Sequence, residues 1–197
     1  MKSAKNIEKQ LGGAILSLNR GEIIICPTDT VYGILADAGN KKAVDAIFKI
    51  KKRPRSKPLP VFVKDFKMAK DIAEIDKKQE KILKKHWPGK YTFILKSKKI
   101  VGHRESYNLY GVDKNTVALR IPKYKFLNDL LKKINKPLVQ TSANVSGQPV
   151  FTKFDQIIKF VESSKVQAFV INAGNLPKRN PSVIIDLTKE KIKILRK

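Results

Sequence analysis

With 197 residues the chain has the length of one large domain rather than two small ones, and a 42% hydrophobic content gives it ample material for a core. Its formal net charge of +25 is carried mostly by scattered lysines, which read as a solubilising background, although clustered charge of this size would serve a nucleic-acid surface. A single cysteine, Cys26, excludes an internal disulfide framework and any multi-cysteine zinc site; no apolar run approaches the ~20 residues of a membrane span, and MKSAKNIEKQ lacks the apolar stretch of a signal peptide, so a cytoplasmic protein forming one domain over residues 1–197 is expected.

Apolar side chains at Ile7, Leu11, Ala14, Ile15 and Leu18 share one helical face, with Gly21 as the stop. The run Ile23 to Cys26 then reads as a buried strand, and PTDTVYGI (Pro27 to Ile34) leaves it with two threonine hydroxyls, a carboxylate and a phenol, as the floor of a binding site would. Lys41 to Lys52 repeats the helical spacing at Ala43, Val44, Ile47 and Phe48, and LPVFV (Leu59 to Val63) is strand-like. Two short helices follow, Asp65 to Ala73 and Asp76 to His86, each opened by an aspartate able to cap free amides, and Trp87-Pro88-Gly89 breaks the second before the strand YTFILK. Ser97 to Asn115 has no periodicity and suggests a flap. Strand TVALRI, helix Phe126 to Ile134, strand PLVQT, helix Phe154 to Val161, then strands QAFVI, SVIIDL and KIKIL complete the chain. This alternation predicts an α/β fold, an open, mixed and mostly parallel sheet with helices on both faces and an antiparallel hairpin at the end.

Three polar segments join PTDTVYGI in the functional reading. KIKKRPRSKP sets Lys51, Lys52, Arg53, Arg55 and Lys57 around a helix-ending proline; it suits a polyphosphate, or equally a solvated helix end beside the negative pole of its dipole. TSANVSG (Thr141 to Gly147) offers hydroxyls, an amide and a glycine at a strand exit, fit either for phosphate oxygens or for a self-satisfied turn. Arg120 lies among apolar strand neighbours and needs an anion, either a ligand carboxylate or a structural aspartate such as Asp113, Asp129 or Asp186. Phosphate-loop, dinucleotide, zincin and Cys/His signatures are all missing, and His86 and His103 read as incidental. What remains is catalysis by positioning and charge neutralisation.

The order PTDTVYG, K-x-R-P-x3-K-P-L (Lys51 to Leu59), WPG, ALRIP, TSANVSG and NPSVIID resembles the YrdC-like family of threonylcarbamoyl-AMP synthases in its single-domain form, over nearly the whole chain. The resemblance implies a twisted sheet with a concave basic cavity. It also implies a nucleotidyltransferase reaction in which L-threonine, bicarbonate or carbon dioxide and ATP with Mg²⁺ give L-threonylcarbamoyl-AMP and pyrophosphate, the donor for a downstream tRNA threonylcarbamoyl transferase. Carried onto this sequence, Arg53 and Lys57 resemble the catalytic residues that hold the ATP phosphates, and Lys51, Thr116, Ser142, Asn144 and Arg196 resemble further nucleotide contacts. Thr30, Arg120 and Ser182 resemble the threonine pocket, with Tyr32 lining it, and no metal ligand is implied. The chain departs from the pattern at Phe62, where some relatives have histidine, at Lys90, where proline is usual, and at Val183, where threonine is common. A proton acceptor is not evident; Asp29 is the nearest carboxylate. The competing readings are a double-stranded RNA-binding module on the same basic surface, which lacks interleaved aromatics, and a transferase handling carbamoyl phosphate.

Overall fold

The computed structural model of the protein describes residues 9–98 and 107–196. In chain order the elements are α1 (Leu11–Asn19), β1 (Ile23–Pro27), β2 (Tyr32–Asp37), α2 (Lys41–Lys51), β3 (Val61–Phe62), α3 (Phe66–Ile72), α4 (Lys77–His86), β4 (Tyr91–Lys96), β5 (Thr116–Arg120), α5 (Lys125–Ile134), β6 (Leu138–Ser142), α6 (Phe154–Ser164), β7 (Ala168–Val170), β8 (Val183–Asp186) and β9 (Lys193–Arg196). The caps expected from the sequence are in place: the Asp65 carboxylate accepts the Met68 amide, and Asp76 forms a capping box with Gln79. Asn40 caps α2, which ends where Lys52 turns left-handed with φ of 49°. The proposed start of the first helix at Ile7, His103 and the centre of the Ser97–Asn115 segment lie outside the described residues.

The nine strands form one sheet in the order β7-β1-β2-β6-β3-β5-β4-β8-β9. It is mixed, as expected. Pairs β1/β7, β3/β5 and β4/β8 run parallel while the other five neighbours are antiparallel, a larger antiparallel share than the strand-helix alternation suggests. One reason is β2, a strand absent from the elements expected from the sequence. Thr28 Oγ1 accepts the amides of Thr30 and Val31, closing a tight turn that folds Tyr32–Asp37 back on β1.

Side chains alternate between two layers. Ile23, Ile25, Ile34, Val61, Leu119 and Val139 point into one cluster with α2, α3, α4 and α6, whereas Ile24, Cys26, Leu35, Phe62 and Leu138 point into another with α1 and α5. Strands β4, β5 and β8 give Phe93, Leu95, Val117, Leu119 and Ile185 to the first cluster and no side chain to the second. Their alternate residues, Ile94, Ala118 and Ile184, therefore floor an open cavity instead of a core. No helix among the described residues is long and apolar enough to cross a membrane.

Candidate functional site

The cavity above Ile94, Ala118 and Ile184 holds about 360 Å³ and is walled by three separate parts of the chain. The end of α2 and the turn after it bring Lys51, Arg53 and Lys57; the β6 exit brings Ser142, Asn144 and Ser146; the entry to β8 and the end of β9 bring Ser182 and Arg196. Not one described carboxylate lines it. A larger groove of about 510 Å³ between α4 and the β8–β9 turn mixes Glu74, Asp76 and Glu190 with lysines and contains none of the candidate site residues.

Lys51, Arg53 and Arg196 are each held by backbone acceptors. Lys51 is only 2% exposed, and its ammonium donates to the carbonyls of Ser142 (2.7 Å) and Asn144 (2.9 Å) and to Asn144 Oδ1 (3.0 Å). Burial, helped by nearby Arg53, pushes its pKa down to about 8. Ser142 Oγ also donates to Asn144 Oδ1, and Asn144 Nδ2 to the Gln148 carbonyl, so much of the TSANVSG loop is satisfied internally and through Lys51. Ser146 Oγ, however, is buried without a partner among the described residues. Arg53 donates from Nε to the Lys57 carbonyl (2.8 Å) and from Nη2 to that of Pro58 (2.9 Å), which stiffens the turn presenting Lys57. Arg196 clamps Ser182 through its carbonyl (2.8 Å) and hydroxyl (3.0 Å), and the Ser182 hydroxyl also meets Thr92 Oγ1 at 3.1 Å. Burial lowers the pKa of Arg196, and so do Arg120 and Arg53, the mark of cations that converge without enough anions to offset them.

The threonine-pocket residues fall differently. Ser182 lines the main cavity, but Thr30 lines a neighbouring pocket of about 140 Å³ with Thr28, Tyr124 and Arg179, its hydroxyl 2.9 Å from that of Thr28. Arg120 is buried and is not among the lining residues of either pocket; its anion is Asp29, with Nη2 2.5 Å from Oδ1. None of the three aspartates weighed from the sequence fills that place: Asp113 receives Asn115 and Thr116, Asp129 pairs with Lys125, and Asp186 receives Thr188. Tyr32 does not line the cavity; its ring belongs to the core, and its hydroxyl donates to the Gly174 carbonyl and accepts from the Ala173 amide. Thr116 donates to Asp113 and lines a small side pocket that shares Pro58, Ile94 and Ala118 with the main cavity. Phe62 lies fully buried beneath the Arg120 guanidinium, 5.5 Å from ring centre to Cζ, so an aromatic face meets the cation at this departure from the pattern. Sequence reasoning missed the Arg120–Asp29 pair, whose one signal was a carboxylate inside an otherwise neutral turn.

An open mixed α/β sheet with a cation-lined cavity that no described carboxylate lines is suited to an anionic ligand. The chain belongs to the Sua5/YciO/YrdC family, whose model, described as "Telomere recombination", matches residues 17–197. It is 37% identical over 176 residues to a putative threonylcarbamoyl-AMP synthase of Methanocaldococcus jannaschii, covering 89% of this chain and 79% of that one. It is also 31% identical over 173 residues to the threonylcarbamoyl-AMP synthase of Pyrococcus abyssi, covering 87% of this chain and 49% of that one. The crystal structure of P. abyssi Sua5 complexed with L-threonine has a TM-score of 0.82 at 29% identity, covering 96% of this chain and 54% of that one. Escherichia coli YciO has a TM-score of 0.81 at 25% identity, covering 96% and 89%. The chain thus spans most of the M. jannaschii relative and about half of the P. abyssi one.

Proposed function

We propose that the protein is an L-threonylcarbamoyladenylate synthase, a nucleotidyltransferase that joins L-threonine, bicarbonate or carbon dioxide and ATP into L-threonylcarbamoyl-AMP with release of pyrophosphate. The observation that carries this reading is the convergence of Lys51, Arg53, Lys57 and Arg196 on a cavity that no described carboxylate lines. Relatives named threonylcarbamoyl-AMP synthase, at 31% to 37% identity over most of the chain, and a relative solved with L-threonine supply the substrate.

In this reaction the threonine amine adds to carbon dioxide and gives up a proton, or condenses with bicarbonate with loss of water, and the resulting N-carboxylate attacks the α-phosphorus of ATP as the bond to pyrophosphate breaks. Two anions must approach each other, so preorganised cations lower the barrier by offsetting both their repulsion and the charge growing on the leaving group. Arg53 and Lys57, on one stiffened turn, take that role. Arg196 brings a further positive edge, and the hydroxyls and amides of Ser142, Asn144 and Thr116 orient the nucleotide. Mg²⁺ enters as part of the Mg·ATP substrate, held by phosphate oxygens and water, since the lining supplies hydroxyls and cations rather than carboxylate ligands. No enzyme nucleophile takes part. Ser182, Thr30 and Arg120 serve the amino acid, and the product passes to a tRNA-modifying transferase.

The test is pyrophosphate release from Mg·ATP with and without L-threonine and bicarbonate, with serine as control. Release that needs both establishes the reading. Failure of release, in a folded protein that binds RNA equally well with ATP and threonine present, refutes it in favour of an RNA-binding module.

A further inference from the structure

We propose that Asp29 is a positioning residue that aims the Arg120 guanidinium at the carboxylate of the amino-acid substrate, and that it is not a proton acceptor in the reaction; the proposal deepens the synthase reading and rests on it. Both carboxylate oxygens are engaged. Oδ1 receives Arg120 Nη2 at 2.5 Å, and Oδ2 receives the Lys123 amide at 3.2 Å. The residue is 7% exposed and sits in the turn locked by Thr28 Oγ1, so the carboxylate has little room to swing toward a reacting amine.

The same contacts fix Arg120 on several sides. Its Nε donates to the Gly89 carbonyl at 2.8 Å, Nη2 is held by Asp29, and the Phe62 ring lies beneath the guanidinium plane. Among the described residues Nη1 donates to nothing, so its N–H groups, with the second N–H of Nη2, are what the fork has left for a ligand. Cross-strand register sets Thr92 opposite Arg120, since Phe93 pairs with Leu119, and Thr92 Oγ1 meets the Ser182 hydroxyl on the cavity wall. A planar fork with its other edges tied offers directional hydrogen bonds of the kind a carboxylate accepts. Because Asp29 already neutralises the charge, orientation rather than net charge is what Arg120 contributes. Losing Asp29 would free the fork to rotate and leave a buried cation unpaired.

The experiment is D29N and D29E in the threonine- and bicarbonate-dependent pyrophosphate assay, with calorimetric titration of L-threonine as a readout that needs no turnover. For D29N the threonine KM and Kd are expected to rise at least about tenfold, with kcat at saturating threonine and the ATP KM within about twofold of wild type. D29E, which keeps the charge but moves it by one methylene, is expected to lie between D29N and wild type. A fall in kcat at unchanged threonine KM, with loss of the acidic limb of the pH-rate profile, would make Asp29 the proton acceptor and overturn the proposal. Should D29N not fold, D29E decides alone: a raised threonine KM at wild-type kcat supports the positioning role, and an unchanged KM overturns it. Wild-type protein that binds threonine while a folded D29N binds it equally well sinks only this proposal, whereas wild-type protein with no threonine response sinks the synthase reading and this proposal with it.

Discussion

Replacing Lys51 with methionine keeps the aliphatic stem and removes the ammonium that ties the end of α2 to the loop after β6. Three acceptors lose their donor, namely the carbonyls of Ser142 and Asn144 and the amide oxygen of Asn144. At a net worth of roughly 1 kcal/mol each, the loss is about 3 kcal/mol. For a chain of this length that corresponds to a fall in melting temperature of about 6 to 12 °C, read by circular dichroism. The size of the effect depends on pH with a definite sign. The folded-state pKa lies near 8 against 10.5 for free lysine, so between these values the unfolded chain binds a proton that the folded one does not. Stability from this group therefore rises with pH across that window, because the neutral amine keeps donors without the cost of burying a charge. The gap between wild type and K51M is expected to widen from pH 8 toward pH 10 in denaturant titrations, by an amount on the order of 3 kcal/mol at most. A K51M protein that melts within about 2 °C of wild type at pH 7, or a gap that narrows with rising pH, would refute the account of Lys51 as a buried staple.

R53A and K57A are each expected to raise the ATP KM roughly ten- to hundredfold with little change in the threonine KM, since each removes a charge-assisted contact worth about 1.5 to 3 kcal/mol; steady-state kinetics with both substrates varied decides it. R196A removes both a cavity cation and the clamp on Ser182, so the KM values of ATP and threonine are expected to rise together, by about tenfold or more. In G89A the new Cβ would overlap the His86 carbonyl, so the backbone at residue 89, whose own carbonyl receives Arg120 Nε, would have to shift. A stability loss of about 1 to 3 kcal/mol with a raised threonine KM is expected, and wild-type melting together with wild-type kinetics would count against that contact.

Much of this architecture can be read from the chain because its signals are local. Asp65 and Asp76 announce their helices by capping them, and Ile23 to Cys26 is apolar on both faces because both faces of β1 are covered. The strand Tyr32–Asp37 escaped because PTDT and Gly33 look like loop and the turn that starts it is closed by a threonine hydroxyl rather than by a glycine-containing hairpin signal. Lys51 and Tyr32 show the complementary failure: both are polar groups in polar motifs, yet their heads are used up by carbonyls distant in sequence, contacts that no spacing rule reveals. Asp29 and Arg120 lie 91 positions apart, so their pairing exists only once β2, β6, β3 and β5 are laid side by side.

The last ladder of the sheet carries a register shift between Ile184 and Ile185, and opposite it Leu195 and Arg196 both reach the cavity although a regular strand would send them to opposite faces. Among the described residues β9 has a single neighbour and is exposed along its whole length, so one wall of the pocket is also an end of the sheet where pairing is easiest to lose. An anion held by Arg196 is then a tether for that strand. Occupancy of the pocket and the pairing of β9 would then be one equilibrium, and amide exchange along β9 is expected to slow in step with ligand saturation.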